Sequence, residues 1–438
     1  MFKQSFVFLT CLLLAIVNVS ALVLENALVL HDPELFQLND PESLTPEVAE
    51  FINYLNQNFN VKITDYNDEE LTLFYEDFPR YQHLILFPSS KKSIKAKQAL
   101  NQHNLLQFIN EEGNVFVIGG SKGVLPDGIR GVLNEVGIYP SPKNYQYIDH
   151  FNSKDGVVQL SQENVVKGNK LVESLSTVAY EGNAALISNN EYIFPIIRSS
   201  ATGYTNKVGE SVNAETTWTF GEQGYLAVGL QALNNARLVW IGSSSLLAEP
   251  SLYKWGLQQQ GKLKLQFVQH IKADEPGNLN PHLYRIKDQA IYSIGVSELV
   301  DGKWVPFQVK NDDEQLQLAF KMLDPYQRLN LRPLGPVSSQ EGNDTELDTY
   351  AYYIEFTVPD HHGMFTFELD YKRQGLSYLL DKRVVTVRHL ANDEFKRSWD
   401  ISNSWLYIAS TILVIIAWYF FIISYIYVGK PNQTKKNE

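Results

Sequence analysis

Residues 405–428 (WLYIASTILVIIAWYFFIISYIYV) contain no charged side chain, and this run constrains the 438-residue chain more than any other feature. Inside a bilayer a single segment must satisfy all its backbone N–H and C=O groups internally, so an isolated run of this kind is a helix. About 20 apolar residues suffice to cross the hydrocarbon layer. Ser404, Ser410, Thr411 and Ser424 are small or hydroxylated, which allows close packing against other membrane helices. Trp405, Tyr407, Tyr425 and Tyr427 stand where the two interfaces would fall.

Residues 429–438 form a short tail with Lys430, Lys435 and Lys436. Lys435 and Lys436 occupy the fourth and third places from the C-terminus, the spacing of the dilysine retrieval signal of endoplasmic reticulum membrane proteins. Such a signal is an address read by a receptor and takes no part in folding. At the other end Lys3 precedes an apolar core, Phe6–Val17, and Val19-Ser20-Ala21 offers small residues for cleavage after Ala21. This is the layout of a secretory signal peptide, residues 1–21. The expected topology is therefore type I: a luminal body from Leu22, one crossing at 405–428, and a cytosolic tail. Lys396 and Arg397 on the luminal flank weaken the charge asymmetry, but the signal peptide sets the orientation independently.

Roughly 380 luminal residues are enough for two or three domains. At 44% hydrophobic and 20% charged residues the whole chain has an ordinary composition for a folded protein, so its luminal part should bury substantial cores. A net charge of −12 argues against recognition of nucleic acid through its phosphates. The single cysteine, Cys11, lies in the expected signal peptide, so the mature body has neither disulfides nor thiol chemistry.

The N-terminal half is expected to be α/β and doubly wound, over 22–255. Ala27–Leu30, Val61–Tyr66, His83–Phe87 and Asn114–Ile118 read as buried strands. Thr45-Pro46-Glu47 opens a helix carrying Val48, Phe51, Ile52 and Leu55. Asn104 and Gln107 are candidate caps for a second helix, with Gly113 as its stop. Strands alternating with helices predict a mostly parallel sheet, and Ala184–Ser188, Tyr225–Leu230 and Arg237–Ile241 extend that style to about residue 250. From about 260 to 395 the period becomes two. Tyr292/Ile294/Val296, Leu316/Leu318/Phe320/Met322, Ile354/Phe356/Val358, Phe365/Phe367/Leu369/Tyr371 and Val385/Val387 alternate with other residues. With turns at Asp301-Gly302 and His362-Gly363, this predicts an antiparallel β-sandwich. The polar stretch 335–348 reads as a loop.

No constellation reads as catalytic. Gly119-Gly120-Ser121-Lys122-Gly123 fits neither nucleotide-binding glycine pattern and reads as a tight turn. Ile241-Gly242-Ser243-Ser244-Ser245 lacks the second glycine of a nucleophile elbow, because Leu246 stands there. Asp360-His361-His362 reads as a hairpin turn, not a metal site, since adjacent strand residues point to opposite faces. The acidic clusters Asp68-Glu69-Glu70 and Asp312-Asp313-Glu314 cannot place two carboxyls across a sugar. Asn343-Asp344-Thr345 is a sequon in a polar luminal loop, which makes Asn343 a candidate glycosylation site. Asn432 heads a second sequon, on the cytosolic side of the expected topology.

Several stretches in order carry a family resemblance. They are His83–Phe87, Phe108-Ile109, Gly113–Val115, Gly137-Ile138, Ile148-Asp149-His150-Phe151-Asn152 and Tyr284–Asp288. Trp304–Phe307, Phe320-Lys321-Met322-Leu323-Asp324-Pro325-Tyr326, Phe356–Asp360, Gly363, Phe367–Tyr371 and Val385–Arg388 follow. Together they resemble the wheat-germ-agglutinin-binding-type subunit of the oligosaccharyltransferase, the 48-kilodalton-type subunit of animals, in its fungal form. The resemblance implies an accessory, non-catalytic subunit of the complex that moves a preassembled oligosaccharide from dolichyl diphosphate to Asn-X-Ser/Thr. It implies as partners the catalytic multispanning subunit, a ribophorin II-type subunit and a small DAD-type membrane subunit, with no cofactor held by this chain. A stand-alone luminal glycan-binding receptor of the early secretory pathway remains the alternative, with an independent luminal hydrolase behind it.

Overall fold

The structure is a computed structural model describing residues 25–38, 44–76, 78–96, 98–154, 156–300, 302–309, 314–338, 347–395, 403–427 and 429. Counts and absences below refer to those residues.

The N-terminal region is built on one large sheet. Its strands are β1 (Asn26–His31), β2 (Asn60–Asp65), β3 (His83–Leu86), β4 (Asn114–Ile118), β5 (Ile138–Pro140), β6 (Ala185–Ile187), β7 (Ile193–Arg198), β8 (Tyr225–Gln231) and β9 (Arg237–Ile241). The order is β2-β1-β3-β4-β9-β8-β6-β5, with β7 also pairing β8. Its central strands are apolar without alternation because both faces are covered. Ala27, Val29, Ile85, Phe116 and Val239 enter one core, while Leu28, Leu84, Val115, Leu238 and Trp240 enter the other.

Helix α1 (Pro46–Asn58) covers the first face through Val48, Phe51, Ile52 and Leu55. Burying each of these side chains contributes about 1.5–3 kcal/mol. Pro46 sits in its first turn and Thr45 at the N-cap position, although the threonine hydroxyl makes no cap bond. Helices α2 (Gln102–Asn110) and α3 (Asp127–Val136) cover the second face. The cap of α2 is Asn101, whose side-chain oxygen accepts from the Asn104 amide at 2.7 Å, so the helix starts ahead of the expected Asn104. Glu112, with φ +64°, takes the left-handed position after it. Gly113 is required for another reason: a Cβ there would overlap the Phe108 ring.

The sheet is less parallel than the sequence suggests. The pairs β1–β2, β1–β3, β3–β4 and β4–β9 are parallel, but β8–β9, β7–β8, β6–β8 and β5–β6 are antiparallel. The reason lies in the connections. Only a few residues separate β8 from β9, which permits a hairpin but no helical crossover. Between α3 and the short helix α4 (Pro250–Gly256) there is no α-helix. Residues 145–220 instead hold two small three-stranded antiparallel sheets.

From Lys262 to Arg388 the regular elements are strands. One five-stranded sheet has the order β10 (Lys262–Lys272), β12 (Gln289–Val300), β17 (Thr349–Thr357), β16 (Arg332–Val337), with β13 (Lys303–Pro306) on β12. The other runs β11 (Leu283–Arg285), β19 (Leu379–Arg388), β18 (Gly363–Tyr371), β14 (Gln317–Lys321), β15 (Pro325–Asn330). Tyr292, Ile294 and Ile354 from the first sheet and Phe320, Phe365 and Phe367 from the second share one core. Phe320 stacks on Phe365 at 4.7 Å between ring centres, and Tyr292 on Phe367 at 5.6 Å. The 335–348 stretch is not wholly a loop, since Gly335, Pro336 and Val337 pair with Ala351, Tyr350 and Thr349. Prolines are tolerated there because β16 is an edge strand.

Helix α5 (Ser404–Ile426) is long and apolar enough to cross a membrane, and none of its side chains is buried.

Candidate functional site: a buried seam between the two folded regions

Lys435, Lys436 and Asn343 lie outside the described residues. The other motifs can be placed. Gly119 and Gly120 leave β4, and the loop bends at Ser121-Lys122 well before α3 begins at Asp127. Ser243 Oγ donates to the Glu181 carbonyl at 2.8 Å and accepts from the Ser245 amide at 3.3 Å, so it ties down a turn. His361 and His362 are exposed in the link from β17 to β18. His361 lies against Tyr326 and His362 against His389, with ring centres 5.3 and 4.1 Å apart. Among the described residues no group of three or more His, Cys, Asp or Glu side chains is placed to hold a metal ion.

The Ile148–Asn152 stretch is organised by one carboxylate. Asp149 is buried and accepts from the Phe151 amide at 3.0 Å, Asn152 Nδ2 at 2.9 Å, Thr202 Oγ1 at 2.9 Å and Ser200 Oγ. Burial alone would push its pKa up. The hydrogen bonds from Ser200, Asn152, Thr202 and Phe151 outweigh that and hold it below the ordinary aspartate value. His150 is directed at Tyr204 OH, 2.9 Å away. No imidazole therefore stands between this carboxylate and the Ser200 hydroxyl, as nucleophile activation would require. Asp149 instead welds two turns together and leaves Phe151 83% exposed at the tip.

The densest polar arrangement is a seam where the large sheet meets the second region. Arg237, the first residue of β9, is fully buried. Its guanidinium donates to the carbonyls of Trp255 (2.8 Å), Gln260 (2.7 Å) and Gly261 (2.8 Å) and to Ser377 Oγ (3.2 Å). It also lies over the Trp255 ring at 4.8 Å. These partners are carbonyls, a hydroxyl and a π-face, none a carboxylate. Burial pulls the Arg237 pKa down to about 9, which still leaves it charged at neutral pH. Around it Trp255 Nε1 donates to the Gly375 carbonyl at 3.0 Å, and Gln231 Nε2 to that of Leu376 at 2.8 Å. Asn235 receives the Tyr378 amide at 2.6 Å and returns a bond to the Tyr378 carbonyl at 3.1 Å.

The 375–378 segment between β18 and β19 is thus gripped by four side chains of the N-terminal region. Two open clefts of about 410 and 480 Å³ flank the seam, one lined by Asn235, Gln258, Lys262 and Ser377, the other by Leu171, Gly261, Phe307 and Gly375. Sequence reading passed over Arg237. The trace it left is a charge heading an otherwise apolar, fully buried strand. Such a charge is retained only when hydrogen bonds satisfy it. The seam provides mechanical union of two bodies and no reacting centre.

Fold and seam together define a class: a mostly β, two-region body on a chain that ends in one helix able to cross a membrane. The family described as OST48, N-terminal domain, matches residues 21–272, and that described as OST48 middle domain matches residues 270–429. The chain is 37% identical to the dolichyl-diphosphooligosaccharide–protein glycosyltransferase subunit WBP1 of Saccharomyces cerevisiae, covering 98% of each. It is 31% identical to subunit wbp1 of Schizosaccharomyces pombe over 84% of this chain and 85% of that one. It is 26% identical to the 48 kDa subunit of Drosophila melanogaster over 81% of each. The chain belongs to the OST48 family.

Proposed function

We propose that this protein is an accessory, non-catalytic subunit of the oligosaccharyltransferase complex, which transfers a preassembled oligosaccharide from dolichyl diphosphate to asparagine in Asn-X-Ser/Thr. The observation that carries the reading is its end-to-end similarity to the yeast subunit, across both folded regions and the apolar helix. The seam supports a structural role, because side chains of Arg237, Trp255, Gln231 and Asn235 all bind the 375–378 segment of the second region.

On this reading residues 1–21 are a signal peptide, 22–255 a luminal α/β region, 260–395 a luminal β-sandwich and 405–428 the membrane crossing. Residues 429–438 are the cytosolic tail, with Lys435 and Lys436 as the retrieval signal of an endoplasmic reticulum membrane protein. Asn343 is a luminal glycan acceptor. The partners are the catalytic multispanning subunit, a ribophorin II-type subunit and a DAD-type subunit. The test is depletion: under-glycosylation should appear at many sequons, and the purified chain should transfer no sugar. Normal sequon occupancy after depletion would remove the reading.

A further inference from the structure

One end of the second region carries both the exit to the membrane helix and a set of exposed apolar side chains. Strand β19 ends at Arg388, and the strap after it is pinned back by Glu394. Arg388 donates to the two Glu394 oxygens at 2.8 and 2.7 Å, Arg285 reaches the same carboxylate at 3.4 Å, and the Ala391 amide donates to it at 2.8 Å. The departure point of the chain is therefore fixed at this end of the sheets. From Glu394 to the start of α5 at Ser404 the chain can span at most about 35 Å, at roughly 3.5 Å per residue. This end of the body is tethered within about 35 Å of the start of α5, nearer than any other part of the second region is obliged to be.

The same end holds the turn between β14 and β15, part of the Phe320–Tyr326 stretch singled out in the sequence. Leu323 at its tip is 90% exposed, with Met322 at 40%, Tyr326 at 44% and Met364, at the start of β18, at 64%. Contacts link these residues to the exit. A Cβ on Gly363 would meet Met322 Sδ at 2.9 Å, Gly363 pairs with Val387, and Met364 pairs with Thr386. Tyr326 lies against His361, and His362 against His389, the residue after Arg388. Flexible apolar side chains flanked by tyrosine and imidazoles match the boundary between headgroups and acyl chains, where amphipathic rings settle.

We propose that the 322–324 turn, together with Met364, rests in the interfacial layer of the bilayer, with Leu323 inserted among the acyl chains. The body would then stand on the membrane at two points, α5 and this turn, which fixes its tilt. The inference rests on α5 being a span, and the two fail separately.

The test places a photo-reactive residue, Leu323→benzoylphenylalanine, in the full chain in its native membranes with acyl-labelled phospholipid. Met364→benzoylphenylalanine is the second position. Val300→benzoylphenylalanine, at the far end of β12 and 43% exposed, is the control. Lipid adducts at 323 and 364 several-fold above those at 300 are expected. An adduct with another polypeptide at 323, or equal lipid labelling at all three positions, overturns the proposal, as does no adduct at 323. Release of the chain by alkaline carbonate would instead sink the span. Retention without a lipid adduct at 323 sinks the turn contact alone.

Discussion

The Arg237 guanidinium donates to the Trp255 carbonyl at 2.8 Å while lying over the indole of the same residue at 4.8 Å, so one tryptophan holds the buried cation by backbone and by ring. Its two terminal nitrogens also reach Gln260, Gly261 and Ser377, while Nε is buried without a partner, which makes the pair the hinge pin between the two regions. A buried cation here costs desolvation, and the ordered carbonyls offset it.

Arg237→Ala should therefore destabilise the full chain by about 3–5 kcal/mol, because the carbonyls of Trp255, Gln260 and Gly261 and the Ser377 hydroxyl lose their donor at once. Arg237→Lys should recover little, since an ammonium cannot match the planar fork. Urea or thermal unfolding of the detergent-solubilised chain measures both. A lysine variant as stable as the parent would contradict the seam.

His270 gives an acid dependence. The ring is buried, stacks on Phe367 at 4.8 Å, and its Nδ1 meets Tyr284 OH at 2.9 Å. Burial first, then the charges of Arg383 and His282, lower its pKa to about 4. The unfolded chain, with an ordinary value near 6.5, binds the proton earlier. Stability should fall as pH drops from about 6.5 to 4, by about 2–3 kcal/mol. His270→Gln should flatten that slope in a pH series of unfolding midpoints.

Asp149→Ala should free the turn that displays Phe151. The variant loses hydrogen bonds to a carboxylate from Ser200, Thr202, Asn152 and the Phe151 amide. A loss of about 2–3 kcal/mol is expected. Limited proteolysis should show earlier cleavage at 149–153. In the parent, because this pKa is held low, the stabilisation is present above the ordinary aspartate value and disappears as pH falls through the folded one.

Lys435→Ser with Lys436→Ser should let an unassembled copy move to later compartments, scored by maturation of its glycan. Asn343→Gln should speed the chain in gel electrophoresis by one glycan. A parent that does not shift on glycosidase treatment would count against the sequon.

Much of the local structure was legible. Asn114–Ile118 and Arg237–Ile241 are strands over the residues their apolar runs mark, and Val48, Phe51, Ile52 and Leu55 do form the buried face of a helix. Alternation over Phe365–Tyr371 placed the inward side chains of β18 correctly. The small sheets within 145–220 were not legible, because their strands are short and half-exposed and carry little periodicity. The strand at 332–337 was hidden by Pro333, Gly335 and Pro336, which mimic a loop when the edge position is unknown.

The sequence by itself determined what depends on neighbours a few residues apart: strand runs, amphipathic helices and an uncharged helix at 404–426. These follow from backbone period and from burial, which act locally. Tertiary structure decided what depends on distant pairing. Arg237 meets Ser377 across 140 residues, β9 lies parallel to β4 yet antiparallel to β8, and Met322 comes to rest beside Gly363 at the end from which the chain leaves for the membrane. No local pattern encodes those encounters, because they are set by how whole sheets bury their faces against one another.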